Sequence, residues 1–160
     1  MKLELDVKIT ANDLFDYMMY HTYTGMSGIV GTVCGIFMIL VFVKGYGIWW
    51  LAGGAVILLY LPGSLFMRSR RQYLSNPAFK EALHYTFDDE GVTISQNDTH
   101  ESQSWDNIYK AVSTPGCIVL YTSRVNASLF PKRDLGDNKE ALIRMISTHM
   151  DPKKVKIRGN

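Results

Sequence analysis

His21, His84, His100 and His149, Cys34 and Cys117, and the run Asp88-Asp89-Glu90 are the residues from which this chain would build metal or nucleophile chemistry. A metal site needs His, Cys or carboxylate ligands spaced so that three or four converge on one ion. None of the four histidines has a Cys or His neighbour at such a spacing, so they read as structural or solvated. The acidic run reads as a hairpin turn leading into Gly91, where a hairpin favours positive φ. No Gly-x-Ser-x-Gly elbow, phosphate-binding Gly-rich loop or His-Glu-x-x-His occurs. The expectation is no catalytic residue, no cofactor, no metal and no enzymatic activity. A small enzyme acting on lipid is set aside because no nucleophile, base or metal set is visible. What remains is electrostatic. Arg68, Arg70 and Arg71 sit at one point of the chain and Lys132-Arg133 at another. The latter two read as solvated, but if their corner faces a bilayer, all five form one basic surface for anionic lipid. Each such residue contributes about 1 kcal/mol near the surface.

The elements that position these cations are dominated by an apolar block, residues 26–67, whose single charge is Lys44. Split there, it gives runs 26–43 and 48–67 joined by Lys44-Gly45-Tyr46-Gly47. At about 1.5 Å per helical residue each run reaches roughly 27 to 30 Å, the hydrocarbon thickness of a bilayer. The mean hydropathy of −0.02 hides this, because a polar half dilutes an apolar one. The rival reading, two buried helices of a soluble protein, fits poorly with two such runs side by side. The net charge of +2 supplies no argument for nucleic acid.

Three arginines leaving the second run outweigh Lys44 in the connecting turn, so the positive-inside rule places both termini in the cytoplasm. Tyr46, Trp49 and Trp50 then sit at the outer interface, with Tyr17, Tyr20 and Tyr23 near the inner one. The acidic-leaning first 25 residues are unlike a cleaved signal peptide. Cys34 inside the first run and Cys117 in the polar half are badly placed for a disulfide, as suits a reducing compartment. Apart from Lys44 no ionisable residue lies in either run, which argues against an ion pathway through one subunit. Ser27, Gly31 and Gly35 strip one face of the first run, and Gly53 and Gly54 do so in the second. Small residues let helices approach closely. They either seal the hairpin to itself or leave a face for a homo-oligomer or partner helix.

Outside the block the period changes. Leu3, Leu5, Val7 and Ile9 alternate with polar residues, the pattern of a strand with one buried face. Thr10 with Asp13 predicts a capped helix start, with Asn12, Asp13 and Asp16 on its polar side. That helix is expected to lie along the inner interface and enter the first span. After Asn76-Pro77, strands are expected over 84–88, 92–95, 101–105, 108–113, 117–122 and 127–130, with turns at Asn97-Asp98-Thr99 and Pro115-Gly116. A helix capped by Asp137 presents Leu142, Met145, Ile146 and Met150, and the basic tail 152–160 is expected to fray. The predicted fold class is membrane α+β. A two-helix transmembrane hairpin is joined to a small antiparallel β domain of about seven strands, pleckstrin-homology-like, with a C-terminal helix covering its open end. The segments are 1–25, strand and interfacial helix; 26–67, hairpin; and 68–160, cytoplasmic domain. Because a lone strand at 3–9 needs partners, the hairpin reads as an insertion near the start of that domain.

Tyr85-Thr86-Phe87-Asp88-Asp89-Glu90-Gly91-Val92, Trp105-Asp106-Asn107-Ile108-Tyr109-Lys110, and Tyr121 followed by Ala127 to Phe130 and Pro131-Lys132-Arg133 carry a resemblance. In their order and spacing the chain resembles the YcxB-like family of small bacterial membrane proteins. The resemblance implies architecture over nearly the whole chain and a bacterial inner-membrane location, and assigns no activity. Trp105 and Ile108 are expected to fill the core. The expected function is a membrane-held recognition domain for a protein partner or anionic lipid. The alternative is an accessory subunit of a larger assembly, of transporter or bacteriocin-immunity type, packing through the small-residue faces.

Overall fold

The computed structural model describes residues 2–97, 99–124 and 126–157. Strand β1, Leu3–Val7, buries Leu3, Leu5 and Val7 and exposes the residues between them, as the alternation predicts. It pairs antiparallel with β2, Leu83–Phe87, in the register Leu3↔Phe87 and Val7↔Leu83. Between these neighbouring strands the sequence carries three helices: α1, Ala11–Tyr23; α2, Met26–Val43; and α3, Gly47–Ser75. The helical hairpin is therefore an insertion into a sheet.

Strands β3, Gly91–Gln96, and β4, Thr99–Ser104, complete a sheet of order β1-β2-β3-β4. A second sheet has the order β7-β6-β5-β8, from β5, Lys110–Ser113, β6, Cys117–Tyr121, β7, Ala127–Pro131, and β8, Val155–Lys156. Among the described residues, eight strands replace the expected seven. The additional one is β8, which runs parallel to β5 through Ala111↔Val155. Part of the tail expected to fray is thus held by a strand edge, and Ile157 packs against the core; residues 158–160 lie outside the described residues. The turn at Asn97-Asp98-Thr99 is described only at Asn97, with φ 52°, and Thr99, since Asp98 also lies outside them. Trp105 belongs to a short 3-10 turn, Trp105–Asn107, rather than to a strand. Its ring is buried, its indole N–H donates to Asp88 O at 2.9 Å, and Ile108 is buried beside it.

Two helices close the domain, α4, Lys132–Leu135, and α5, Asn138–His149. Leu142, Met145 and Ile146 of α5, with Met150 after it, enter the core formed by Phe87, Ile118, Leu120 and Phe130. Gly91 corrects the hairpin argument. Positive φ occurs instead at Gly45, Gly47 and Gly136. A Cβ on Gly91 would lie 2.2 Å from Gln103 O, so glycine there serves the close approach of β3 to β4.

Helices α2 and α3 are long and apolar enough to cross a membrane, and only 11% of each apolar window is buried within the protein. Val33, Phe37, Leu40, Val56 and Leu59 face outward, so the hydrophobicity of these helices does not supply the domain's core. At the connection, Gly45 and Gly47 take φ 95° and 50°, which reverses the chain in the expected place. Helix α3 does not end with its apolar run. It continues to Ser75, so Arg68, Arg70 and Arg71 stand on a helix rather than on an exit loop. Within the hairpin the small residues meet each other's helix. A Cβ on Gly35 would lie 2.6 Å from Leu58 Cγ, and one on Gly31 would lie 3.0 Å from Leu61 Cδ1. One on Gly54 would lie 2.8 Å from Gly35 O, and one on Gly53 would lie 2.4 Å from Met38 Cε. Ser27 is exposed and outside this seam. Gly28, which the small-residue reading passed over, is buried where α2 meets the end of α1, and its Cβ would lie 2.4 Å from Thr22 O.

Candidate functional site at the junction of hairpin and β domain

Helix α1 begins as the capping pattern predicts: Thr10 N and Thr10 Oγ1 each donate to Asp13 Oδ2 at 2.7 Å. The same carboxylate is buried, 4% exposed, which corrects its placement on a polar outer face. Arg133, at the start of α4, explains why it can be. Its Nη1 donates to Asp13 Oδ1 at 2.6 Å and its Nη2 to Oδ2 at 2.8 Å, and Nη2 also reaches Lys8 O at 2.9 Å. A planar guanidinium can satisfy both carboxylate oxygens at once, as an ammonium cannot. Asp16, one turn on, accepts from Thr114 Oγ1 and from Gly116 N at 3.2 Å. Lys132 Nζ donates to Thr114 O at 2.5 Å. Both cations read as solvated are thus engaged: Arg133, still half-exposed, ties α4 to α1, and Lys132 ties the start of α4 to the β5–β6 turn, which Asp16 joins to α1.

Burial raises the Asp13 pKa, but the hydrogen bonds from Arg133 and Thr10 outweigh it, and the carboxyl is held below its ordinary 3.8. A group whose folded pKa is lowered contributes stability that is complete above its unfolded value and lost as pH falls through the folded one. Acid unfolding should therefore include a proton uptake at Asp13 below pH 3.8. Substituting Asp13→Asn should flatten the melting-temperature curve in that range, and an unchanged curve would contradict the assignment. Cys117 Sγ lies 4.0 Å from Asp13 Oδ1, and burial first, then the carboxylates of Asp13 and Asp16, push its thiol up to about 12. Such a thiol stays protonated and unreactive at neutral pH.

On the other side of α1, a cleft of about 510 Å³ opens towards α3, lined by Tyr17, Met18, His21, Thr22, Leu65, Arg68, Arg71, Gln72 and Ser75. Arg68 and Arg71 are exposed, and their guanidinium groups make no ion pair or hydrogen bond among the described residues. Arg70 instead lies over the Phe66 ring at 4.9 Å. His21 stacks on Tyr121 at 6.1 Å and Tyr17 lies tilted against the same ring at 5.9 Å, so the wall of the cleft is continuous with the β domain. Tyr17 and Tyr20 are half-buried and pack against the core. The five basic residues thus divide by chemistry: Lys132 and Arg133 hold structure, Arg70 leans on an aromatic ring, and Arg68 and Arg71 offer free charge to a cleft. His21 and Thr22 join that cleft without a signal in the sequence, since only the packing of α1 on α3 brings them to Arg68, whereas Gln72 stands one turn beyond Arg68 on α3 itself.

The other histidines are spent locally. His84 Nδ1 meets Asp6 Oδ1 at 2.7 Å, His100 Nδ1 meets Ser95 Oγ at 2.8 Å, and His149 stacks on Trp105 at 5.3 Å. Among the described residues no three potential ligands group to hold a metal ion.

The stretch from Phe87 at the end of β2 to Ile146 in α5 holds the Trp105 turn, the bolt partners Thr114, Lys132 and Arg133, and most of the second sheet. Residues 87–146 match the family model of YcxB-like proteins. The YcxB-like match covers this stretch of the β domain and not β1 or the helical hairpin, so it is narrower than the whole-chain resemblance. No curated protein and no solved structure matches the chain. Within the YcxB-like segment lie the residues that receive Asp13 and Asp16, whereas Arg68 and Arg71 lie outside it.

Proposed function

We infer that this is a non-enzymatic integral membrane protein whose recognition domain is held against the bilayer by the α2–α3 hairpin and binds anionic lipid headgroups in the cleft between α1 and α3. The observation that carries the reading is the position of two unpaired arginines. Arg68 directly follows the apolar run of α3, and the facing wall, His21 and Thr22, lies just before α2 begins. A headgroup at the level where both spans end would meet Arg68 and Arg71 without leaving the bilayer. On this reading both termini and the β domain are cytoplasmic, in the inner membrane of a bacterial cell. The two four-stranded sheets with α5 filling one end are read as pleckstrin-homology-like. The subunit alternative has less support, because Gly31, Gly35, Gly53 and Gly54 spend their small faces within the hairpin.

The purified full chain in a neutral detergent, melted with increasing short-chain phosphatidylglycerol or phosphatidylcholine, tests this. At about 1 kcal/mol for each arginine, binding of the anionic lipid should be favoured by about thirtyfold. Phosphatidylglycerol should raise the melting temperature through ligand linkage and phosphatidylcholine should not. The Arg68→Gln/Arg71→Gln double variant should lose the difference. Equal shifts for both lipids, or a difference that survives the double variant, would refute the reading.

A further inference from the structure

Among the described residues, the two sheets do not close into a barrel on the side of β4 and β7. Each is an edge strand: β4 ends the order β1-β2-β3-β4 and β7 begins the order β7-β6-β5-β8. Between them lies a cleft of about 590 Å³ over Ile9, Leu14, Phe79, Ile94 and Leu129, and a contiguous one of about 420 Å³ shares most of that floor.

Registers across the first sheet fix what faces this space. One inward row runs Leu5↔Tyr85↔Ile94↔Glu101, and the next runs Leu3↔Phe87↔Val92↔Gln103. Three strands contribute apolar side chains to these rows and the fourth contributes a carboxylate and an amide. Strand β4, Thr-His-Glu-Ser-Gln-Ser, has no apolar residue at all, so burial does not account for its pattern. Glu101 lines both clefts, and among the described residues it is their only charged lining residue and its carboxylate has no hydrogen bond or ion pair.

An open strand edge beside an apolar floor is the geometry of β-strand addition, in which backbone hydrogen bonds supply affinity and alternate side chains supply specificity. We propose that an extended segment of a partner protein adds to the free edge of β4 and places a Lys or Arg against Glu101 in this cleft. In such a strand the residues two before and two after the basic one also point inward, opposite Thr99 and Gln103 and over the apolar floor. The recognised pattern is therefore apolar-x-basic-x-apolar. This site is separate from the arginine cleft and does not depend on lipid binding there.

The test is a displayed library of random dodecapeptides selected on the full chain in nanodiscs, with synthetic copies of the enriched peptide measured by fluorescence anisotropy. The expected result is enrichment of the apolar-x-basic-x-apolar pattern, with at least tenfold weaker binding to the Glu101→Lys variant. Selection on that variant should favour an acidic residue at the same position. N-methylation of alternate peptide amides should abolish binding, and the peptide should slow hydrogen exchange at 99–104. The inference is overturned if no peptide is enriched, or if the enriched peptide is indifferent to Glu101→Lys or to N-methylation. It is also overturned if the chain alone is a dimer that Glu101→Lys dissociates, since the occupant would then be a second copy. A melt of Glu101→Lys that matches the parent chain excludes misfolding as the cause of lost binding.

Discussion

Replacing Arg133 by alanine is expected to destabilise the protein by about 3 kcal/mol, the low end of the range for breaking a buried pair. The low end applies because Arg133 is itself 49% exposed, so water can reach part of the vacated space. What is left behind is Asp13, which is only 4% exposed and keeps the two hydrogen bonds from Thr10 and the long contact from the Cys117 thiol. A buried carboxylate without its cation must either stay charged at high cost or take up a proton. The acid-dependent loss of stability assigned to Asp13 should therefore shift to higher pH in the same variant. Arg133→Lys should recover only part of the loss, because an ammonium lacks the planar fork that gives the carboxylate two parallel hydrogen bonds while a third reaches Lys8 O. Chemical or thermal melts in detergent, read by near-UV circular dichroism, check this. A variant as stable as the parent chain would mean that the Arg133–Asp13 pair does not hold α1.

The second large effect is expected in the hairpin, where neighbouring glycines should respond with opposite sign. Alanine at Gly54 would place a methyl group 2.8 Å from Gly35 O and 3.3 Å from Ile39 N, both backbone atoms of α2. No rotamer change relieves that, so the helices must separate, at a cost of about 2 kcal/mol. At Gly53 the obstacle is Met38 Cε at 2.4 Å, the free end of a flexible side chain. Met38 can swing aside, and alanine gains up to about 1 kcal/mol of helix propensity over glycine. Gly53→Ala should therefore be neutral or stabilising and Gly54→Ala destabilising. Thermal melts of the two variants in the same detergent decide it, and equal behaviour would remove the hairpin seam as the reason for these glycines.

Much of the architecture is written in local periodicity. Alternation of period two at residues 3–9 was enough to place a strand, and two uninterrupted apolar runs were enough to place two long helices, because each pattern has a single solution in backbone geometry. The Thr10–Asp13 cap was legible for the same reason, being a contact between residues three apart. The second role of Asp13 was not. An aspartate near a helix start looks the same whether it faces water or an arginine at position 133, and nothing local distinguishes the two. The hydrogen bonds of Lys132 and Arg133 leave no local signal for the same reason. Strand β8 escaped because two residues show no period, and their pairing with Ala111 and Val112 is decided by the edge of β5.

Composition and spacing alone determined that the chain has an apolar pair of helices set into a β domain, with a basic flank where the second apolar run ends. Those properties depend on near neighbours and on hydrophobicity, which every residue carries with it. Only the tertiary structure decided which cations are free. Arg133 is committed to a carboxylate far away in sequence, Arg70 to a ring one turn back, and Arg68 and Arg71 to nothing among the described residues. The same holds for Glu101, one more acid on a polar strand until the sheets are assembled and their edges left apart. A charge acquires a function from what stands opposite it, and that is settled by packing between segments distant in sequence.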